Sequence, residues 1–173
     1  MVSIESDKQK TAAYCGLFCE ACGLYLATKE NGEKLAKIAE RYKMTPEQVK
    51  CDGCRSQKLS PYCATCKMKT CASQKNINFC SECGEYPCQL VFDFRSQPNV
   101  AHRLEIENSL QRILEIGYTA WYSEMVQHYS CNQCGTINSA YDTFCRNCKN
   151  TPANTYVELH DEEIKKILSQ SQK

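Results

Sequence analysis

Eight cysteines, Cys51, Cys54, Cys63, Cys66, Cys71, Cys80, Cys83 and Cys88, fall within 38 residues that carry few aliphatic side chains. Such a stretch cannot bury enough apolar surface to persist on its own. Cys15, Cys19 and Cys22 lie upstream and Cys131, Cys134, Cys145 and Cys148 downstream, which brings the total to 15 in 173 residues. The 42% hydrophobic fraction includes these thiols and so overstates the Leu, Ile, Val and Phe available for a core. Something besides apolar burial must hold the fold together.

The opening MVSIESDKQK has no apolar run of signal-peptide type, and no stretch approaches the roughly 20 apolar residues of a membrane span. A cytoplasmic protein without a membrane partner is expected. Disulfides rarely persist in a reducing cytoplasm, so a dense and odd-numbered set of thiols points to metal. The net charge of +1 gives no global argument for nucleic acid.

The C-terminal motif is the most specific. Cys131-x2-Cys134-x10-Cys145-x2-Cys148 is two CxxC knuckles joined by a loop long enough to present four thiolates to one tetrahedral zinc, the pattern of a zinc ribbon. Gly135 permits the tight turn that aims backbone amides at the sulfurs. Four protein ligands leave no open coordination position, so this metal is expected to be structural and to supply the segment's folding energy.

In the middle cluster, Cys54, Cys71 and Cys88 recur every 17 positions, as do Cys63 with Cys80 and Cys66 with Cys83. A tandem repeat of this kind suggests two similar metal loops. One partition places Cys51, Cys54, Cys63 and Cys66 on one ion and Cys71, Cys80, Cys83 and Cys88 on another; an interleaved one pairs Cys63 and Cys66 with Cys80 and Cys83. Between Gly53 and Ser81 lie Arg55, Lys58, Lys67, Lys69 and Lys75 with no acidic residue, interleaved with Tyr62 and Phe79. Cations near a four-thiolate site offset its formal charge of about minus two, and that is the favoured reading. Arg55, Lys58, Lys67 and Lys69 are also the candidate contacts to a nucleic-acid backbone.

The stretch YCGLFCEAC spaces Cys15, Cys19 and Cys22 as Cys-x3-Cys-x2-Cys, the pattern that holds an open four-iron cluster in radical enzymes. No strand precedes it and no series of strand and helix units follows, which argues against that chemistry. Cys19 and Cys22 then read as a knuckle completed by Cys51 and Cys54, with Cys15 spare. The other readings have all three binding zinc or an iron-sulfur cluster with one borrowed thiol, or packing on a helix face. His102, His128 and His160 are expected to be solvated, and no catalytic triad, phosphate loop or convincing carboxylate pair is present, so an enzyme is not expected.

Regular structure is legible elsewhere. LYLATKENGEKLAKIAERYKM has helical spacing split at Asn31-Gly32, and Thr45-Pro46-Glu47-Gln48 reads as a capped helix start. Little regular structure is expected from Cys51 to Cys88. QPNVAHRLEIENSLQRILEIGYTAWYSEMVQHY is helical with a stripe of Leu104, Leu110, Ile113, Leu114, Trp121 and Met125 and a break at Gly117. TYVEL is β-prone, and a short helix begins at Asp161.

YCGLFCEAC with LYLAT, then CDGC, YCATCKMKTC and FCSECGEYPC, resembles a prokaryotic family of Cys-rich proteins, domain of unknown function 3795, over about Ala13 to Phe94. Gly23 stands where that family's pattern leads to proline, and the C-terminal ribbon is additional to the common form. The resemblance implies a small cytoplasmic metal-binding protein and supplies no substrate.

The expected fold is mostly α with irregular metal-organised loops, a small Cys-rich α+β chain. A helical zinc-knuckle domain (11–95) leads through a helical hairpin (96–129) to a zinc ribbon (130–160) and a C-terminal helix and tail (161–173). The expected cofactor is zinc, two to three ions or more, with an iron-sulfur cluster on the N-terminal cysteines as the alternative. The expected role is a non-catalytic module binding a protein or nucleic acid, with redox or electron transfer second and chemistry at a free Cys15 or Cys19 third.

Overall fold

The structure, a computed structural model, describes residues 11–170. The MVSIESDKQK segment and the last residues of the tail lie outside them. The chain forms two compact units, Met1–Tyr86 and Pro87–Lys173. Both are mainly helical, and β pairing among the described residues is limited to the bridges Ala12 with Phe18 and Ser130 with Ile137.

In the first unit, α1 (Gly23–Glu30) and α2 (Gly32–Tyr42) are separated at Asn31, whose side chain accepts from the Lys34 amide and caps α2. Helix α3 (Pro46–Val49) opens on the expected reciprocal cap between Thr45 and Gln48. Ala27, Leu35, Ala39 and Val49 form the apolar cluster among these three helices, with Leu24 and Ile38 against it. Tyr42, at the end of α2, is 46% exposed.

From Cys51 onward the chain holds more helix than its sequence suggests. The turn α4 (Pro61–Ala64) is capped by Ser60, and α5 (Lys67–Gln74) runs two turns from Cys66. The reason is local: KMKTCASQ is rich in straight-chain helix formers, and Met68 and Ala72, four apart, both find burial.

In the second unit, α6 (Gln89–Arg95) precedes the long α7 (Ile106–Tyr129), which Gly117 interrupts as expected. At φ 76° and ψ 165° that residue occupies a region open essentially to glycine alone. Leu110, Ile113 and Trp121 of the stripe are buried, whereas Leu104 and Leu114 are exposed.

TYVEL is not a strand. It forms α8 (Thr155–Leu159), because the Asn154 side-chain oxygen accepts from the Val157 amide at 2.9 Å and the cap overrides β propensity. Tyr156 and Val157 are both buried, with Tyr156 stacked on Tyr129 at 5.0 Å. Helix α9 (Asp161–Gln170) starts at the expected residue and buries Ile164 and Ile167.

Candidate metal centre

The two C-terminal knuckles have one backbone design, executed twice. In the first, the Cys131 amide donates to Thr136 O at 2.9 Å and the Gly135 amide to Cys131 O at 2.8 Å. In the second, the Cys145 amide donates to Asn150 O at 2.7 Å and the Lys149 amide to Cys145 O at 3.0 Å. The residue after each second cysteine turns left-handed, Gly135 at φ 71° and Lys149 at φ 65°. Gln133 aims its amide at the Cys131 sulfur from 3.4 Å, as the knuckle geometry requires.

These turns bring four sulfurs together. Cys131 Sγ lies 3.6 Å from Cys148 Sγ, and Cys134 Sγ lies 3.6 Å from Cys145 Sγ. All four lie within 4.8 Å of one another, the one set of three or more Cys, His, Asp or Glu ligand atoms so disposed among the described residues. A disulfide needs about 2.05 Å. Four sulfurs at about 2.3 Å from a tetrahedral ion stand about 3.8 Å apart, close to the spacing found. The donor set therefore fits a metal ion.

Sequence reasoning missed what supports this arrangement. Asn138 is fully buried, and its amide nitrogen donates to Thr136 O at 2.8 Å and Ala153 O at 3.2 Å while lying 3.6 Å from Cys145 Sγ. Its side-chain oxygen accepts from the Arg146 amide, so one residue ties both knuckles to the approach to α8. The only sequence sign is an Asn in a loop, a position usually read as a turn. Electrostatics agree with a thiolate site. The Thr136 hydroxyl, 3.3 Å from the Cys134 sulfur, and the Thr136 amide bring that thiol down to about 5. Cys148 is the counterpart: the Asn150 amide draws it down, but desolvation and the neighbouring thiols prevail and raise it to about 12. Thiols this crowded ionise together only around a cation.

In the first unit the N-terminal and middle cysteines share one region. Burial pushes the Cys15 thiol well up, and Cys54, Cys80 and Cys66 push it further. Burial does the same to Cys19, with Cys54 the largest neighbour, and to Cys54, with Cys66 acting on it. Cys63 is raised to about 11 by burial, with Cys51, Cys54 and Cys22 adding to the rise. Cys22 is exposed as a residue, but desolvation of its sulfur raises its pKa and Cys51 adds to it.

The remaining middle cysteines lie elsewhere on the backbone: Cys71 in α5, Cys83 closing a turn 3.3 Å from Lys75 Nζ, and Cys88 immediately before α6 in the second unit. Cys63 and Cys80 open matching turns, with the Cys66 amide donating to Cys63 O at 3.4 Å and the Cys83 amide to Cys80 O at 3.2 Å.

The basic residues are largely engaged within the chain. Arg55 bonds backbone carbonyls, Lys58 pairs with Glu47, and Lys75 pairs with Glu85 at 2.9 Å. Burial keeps the Cys54 thiol raised, and Arg55 and Lys69 only partly oppose that rise. Lys67 and Lys69 stand two apart on α5.

The histidines are not solvated side chains. His102 Nδ1 lies 2.9 Å from the Tyr141 hydroxyl, and burial lowers its pKa to about 4. His128 and His160 both meet Glu105. Their placement beside Tyr156 explains the difference, since its ring is fully buried and packs against both imidazoles.

Residues 11–93 match the family "Protein of unknown function (DUF3795)". The matched segment carries Cys15 through Cys88, whereas the C-terminal four-cysteine cluster lies beyond it. No curated protein and no solved structure matches the chain significantly. No helix among the described residues is long and apolar enough to cross a membrane.

Proposed function

We propose that the protein is a non-catalytic, metal-stabilised binding module whose C-terminal segment closes as a zinc ribbon around one zinc ion and contacts a protein or nucleic-acid partner. The observation that carries this reading is the set of four sulfurs of Cys131, Cys134, Cys145 and Cys148 within 4.8 Å of one another. Four thiolates and a closed shell favour structural zinc, and they leave no position for substrate or activated water. The knuckles also display an apolar side chain: Phe144, one residue before Cys145, is 57% exposed. An exposed aromatic held by a rigid metal loop is suited to anchoring a partner.

Mass-spectrometric metal analysis of the purified chain tests the first half. Zinc that falls by one equivalent when the C-terminal cysteines become Ser supports the reading. A brown protein whose colour is bleached by dithionite and lost in that variant replaces zinc by iron. The second half is tested by binding to single-stranded nucleic acid at two salt concentrations, comparing the parent with a Lys67→Glu, Lys69→Glu variant and with Phe144→Ala. Salt-dependent affinity lost in the charge variant assigns a nucleic-acid partner. Affinity unchanged by the charge variant leaves the basic segment as a balance for thiolate charge, and no measurable binding by the parent removes nucleic acid as the partner.

A further inference from the structure

The four sulfurs of the C-terminal cluster are not equivalent. They include two close pairs, Cys131 Sγ with Cys148 Sγ and Cys134 Sγ with Cys145 Sγ, each 3.6 Å apart. Each pair takes one cysteine from each knuckle, and in sequence the second pair is nested inside the first. Each pair also joins an exposed residue to a buried one: Cys148 and Cys134 are exposed, whereas Cys131 and Cys145 are 3% and 0% exposed. An oxidant arriving from solvent therefore meets one member of each pair, and the other member stands 3.6 Å away.

A disulfide at about 2.05 Å requires each pair to close by about 1.5 Å. The knuckles are held face to face by protein groups as well as by sulfur. Buried Asn138 donates to Thr136 O beside the first knuckle and accepts from the Arg146 amide inside the second, at 2.8 Å and 2.9 Å. Bonds that need no metal thus keep each exposed cysteine beside its buried partner.

We propose that the C-terminal cluster is a peroxide-sensitive switch, in which Cys134 and Cys148 are oxidised first and are resolved by Cys145 and Cys131 with release of the bound ion. This rests on the reading of the four cysteines as a zinc site. Each exposed thiolate attacks the peroxide O–O bond, becomes a sulfenic acid and releases one hydroxide. The thiolate of its buried partner attacks that sulfur, forms the S–S bond and expels a second hydroxide. Two peroxides are thereby reduced and four thiolates oxidised to two disulfides. No thiolate is left to hold the ion, which is released as zinc(II) with its own oxidation state unchanged. Because both disulfides cross from one knuckle to the other, the loops stay joined, and a dithiol reductant regenerates the four ligands in place. In a reducing compartment such disulfides are transient, as those of redox sensors are.

The test exposes the zinc-loaded full chain to hydrogen peroxide and follows zinc release with a chromogenic chelator, beside a variant with Cys131, Cys134, Cys145 and Cys148 all changed to Ser. The parent is expected to release one more equivalent of zinc than the variant, to consume two peroxides in doing so, and to rebind that zinc after dithiothreitol. Tandem mass spectrometry of digests should find Cys131 joined to Cys148 and Cys134 joined to Cys145. A cyclic 1,3-diketone present during oxidation should capture sulfenic acid on Cys134 and Cys148 and leave Cys131 and Cys145 unmodified. A parent that holds no more zinc than the variant before peroxide is added overturns the zinc reading, and the switch with it. Zinc retained under peroxide, a disulfide within one knuckle such as Cys131 with Cys134, or sulfinic acid in place of disulfides overturns the switch and leaves the zinc reading standing.

Discussion

Glu105 and His128 meet at 2.8 Å between Oε2 and Nε2, and the other Glu105 oxygen receives His160 Nε2 at the same distance. The carboxylate and His128 are each 16% exposed, and Tyr129 and Tyr156 face the same charge. Burial alone would raise the Glu105 pKa, but the two imidazole hydrogen bonds outweigh it and the net shift is downward. A depressed folded-state pKa stabilises above the unfolded value of about 4.3 and ceases to do so as pH falls through the folded value. Glu105→Gln is expected to cost about 2 kcal/mol at neutral pH, since an amide N–H then opposes one imidazole N–H. Chemical denaturation from pH 7 to pH 3 should show the gap between parent and variant narrowing on the acid side. A gap constant with pH would mean that packing rather than charge supplies the effect.

The exposure of Cys134 and Cys148 allows metal energy to be separated from packing energy. Truncating an exposed thiol leaves no cavity, so Cys134→Ser and Cys148→Ser should be nearly neutral in the metal-free chain. Structural zinc contributes on the order of 10 kcal/mol in small peptides, so the same changes in the metal-loaded chain should lower stability by several kcal/mol. Thermal melts with zinc and with chelator give both numbers for each variant. Equal losses under the two conditions would show that the cluster is held by packing instead.

What the sequence made legible was local. The split at Asn31, the reciprocal cap of Thr45 and Gln48, the break at Gly117 and the knuckles around Gly135 each depend on residues within a few positions of one another. Local evidence also misled: Thr155 to Leu159 has β propensity, and only the buried cap at Asn154 decides for helix. The contacts that organise the cysteines leave no periodic trace. Arg55 reaches carbonyls 43 and 23 residues away, and Glu105 reaches histidines 23 and 55 residues away. In sequence Arg55 was one charge in a basic run; in the fold it is an internal brace.

Gly117 separates the two parts of α7 at a backbone conformation that side chains disfavour. A Cβ built there meets nothing within 4 Å, so a substitution is resisted by the backbone alone. Gly117→Ala is expected to cost about 1–3 kcal/mol, measured by denaturant titration. A stable variant with increased far-ultraviolet helical signal would mean that α7 straightens and that the break is not enforced by its surroundings.

Arg55 offers the sharpest comparison because its charge can be kept while its geometry is lost. A lysine ammonium is a point donor without a planar face, and it cannot hold Ala12 O and Asn78 O in the same fork or stack on Tyr14 and Phe79. Arg55→Lys is therefore expected to destabilise the first unit by about 3 kcal/mol, as hydrogen bonds to part-buried carbonyls are left unmade. Arg55→Met, which preserves the aliphatic stem, should cost at least as much. If the guanidinium merely neutralised thiolates, lysine would substitute freely and methionine would not. The ratio of the two losses, read from urea midpoints in the metal-free chain, distinguishes a brace from a counter-charge.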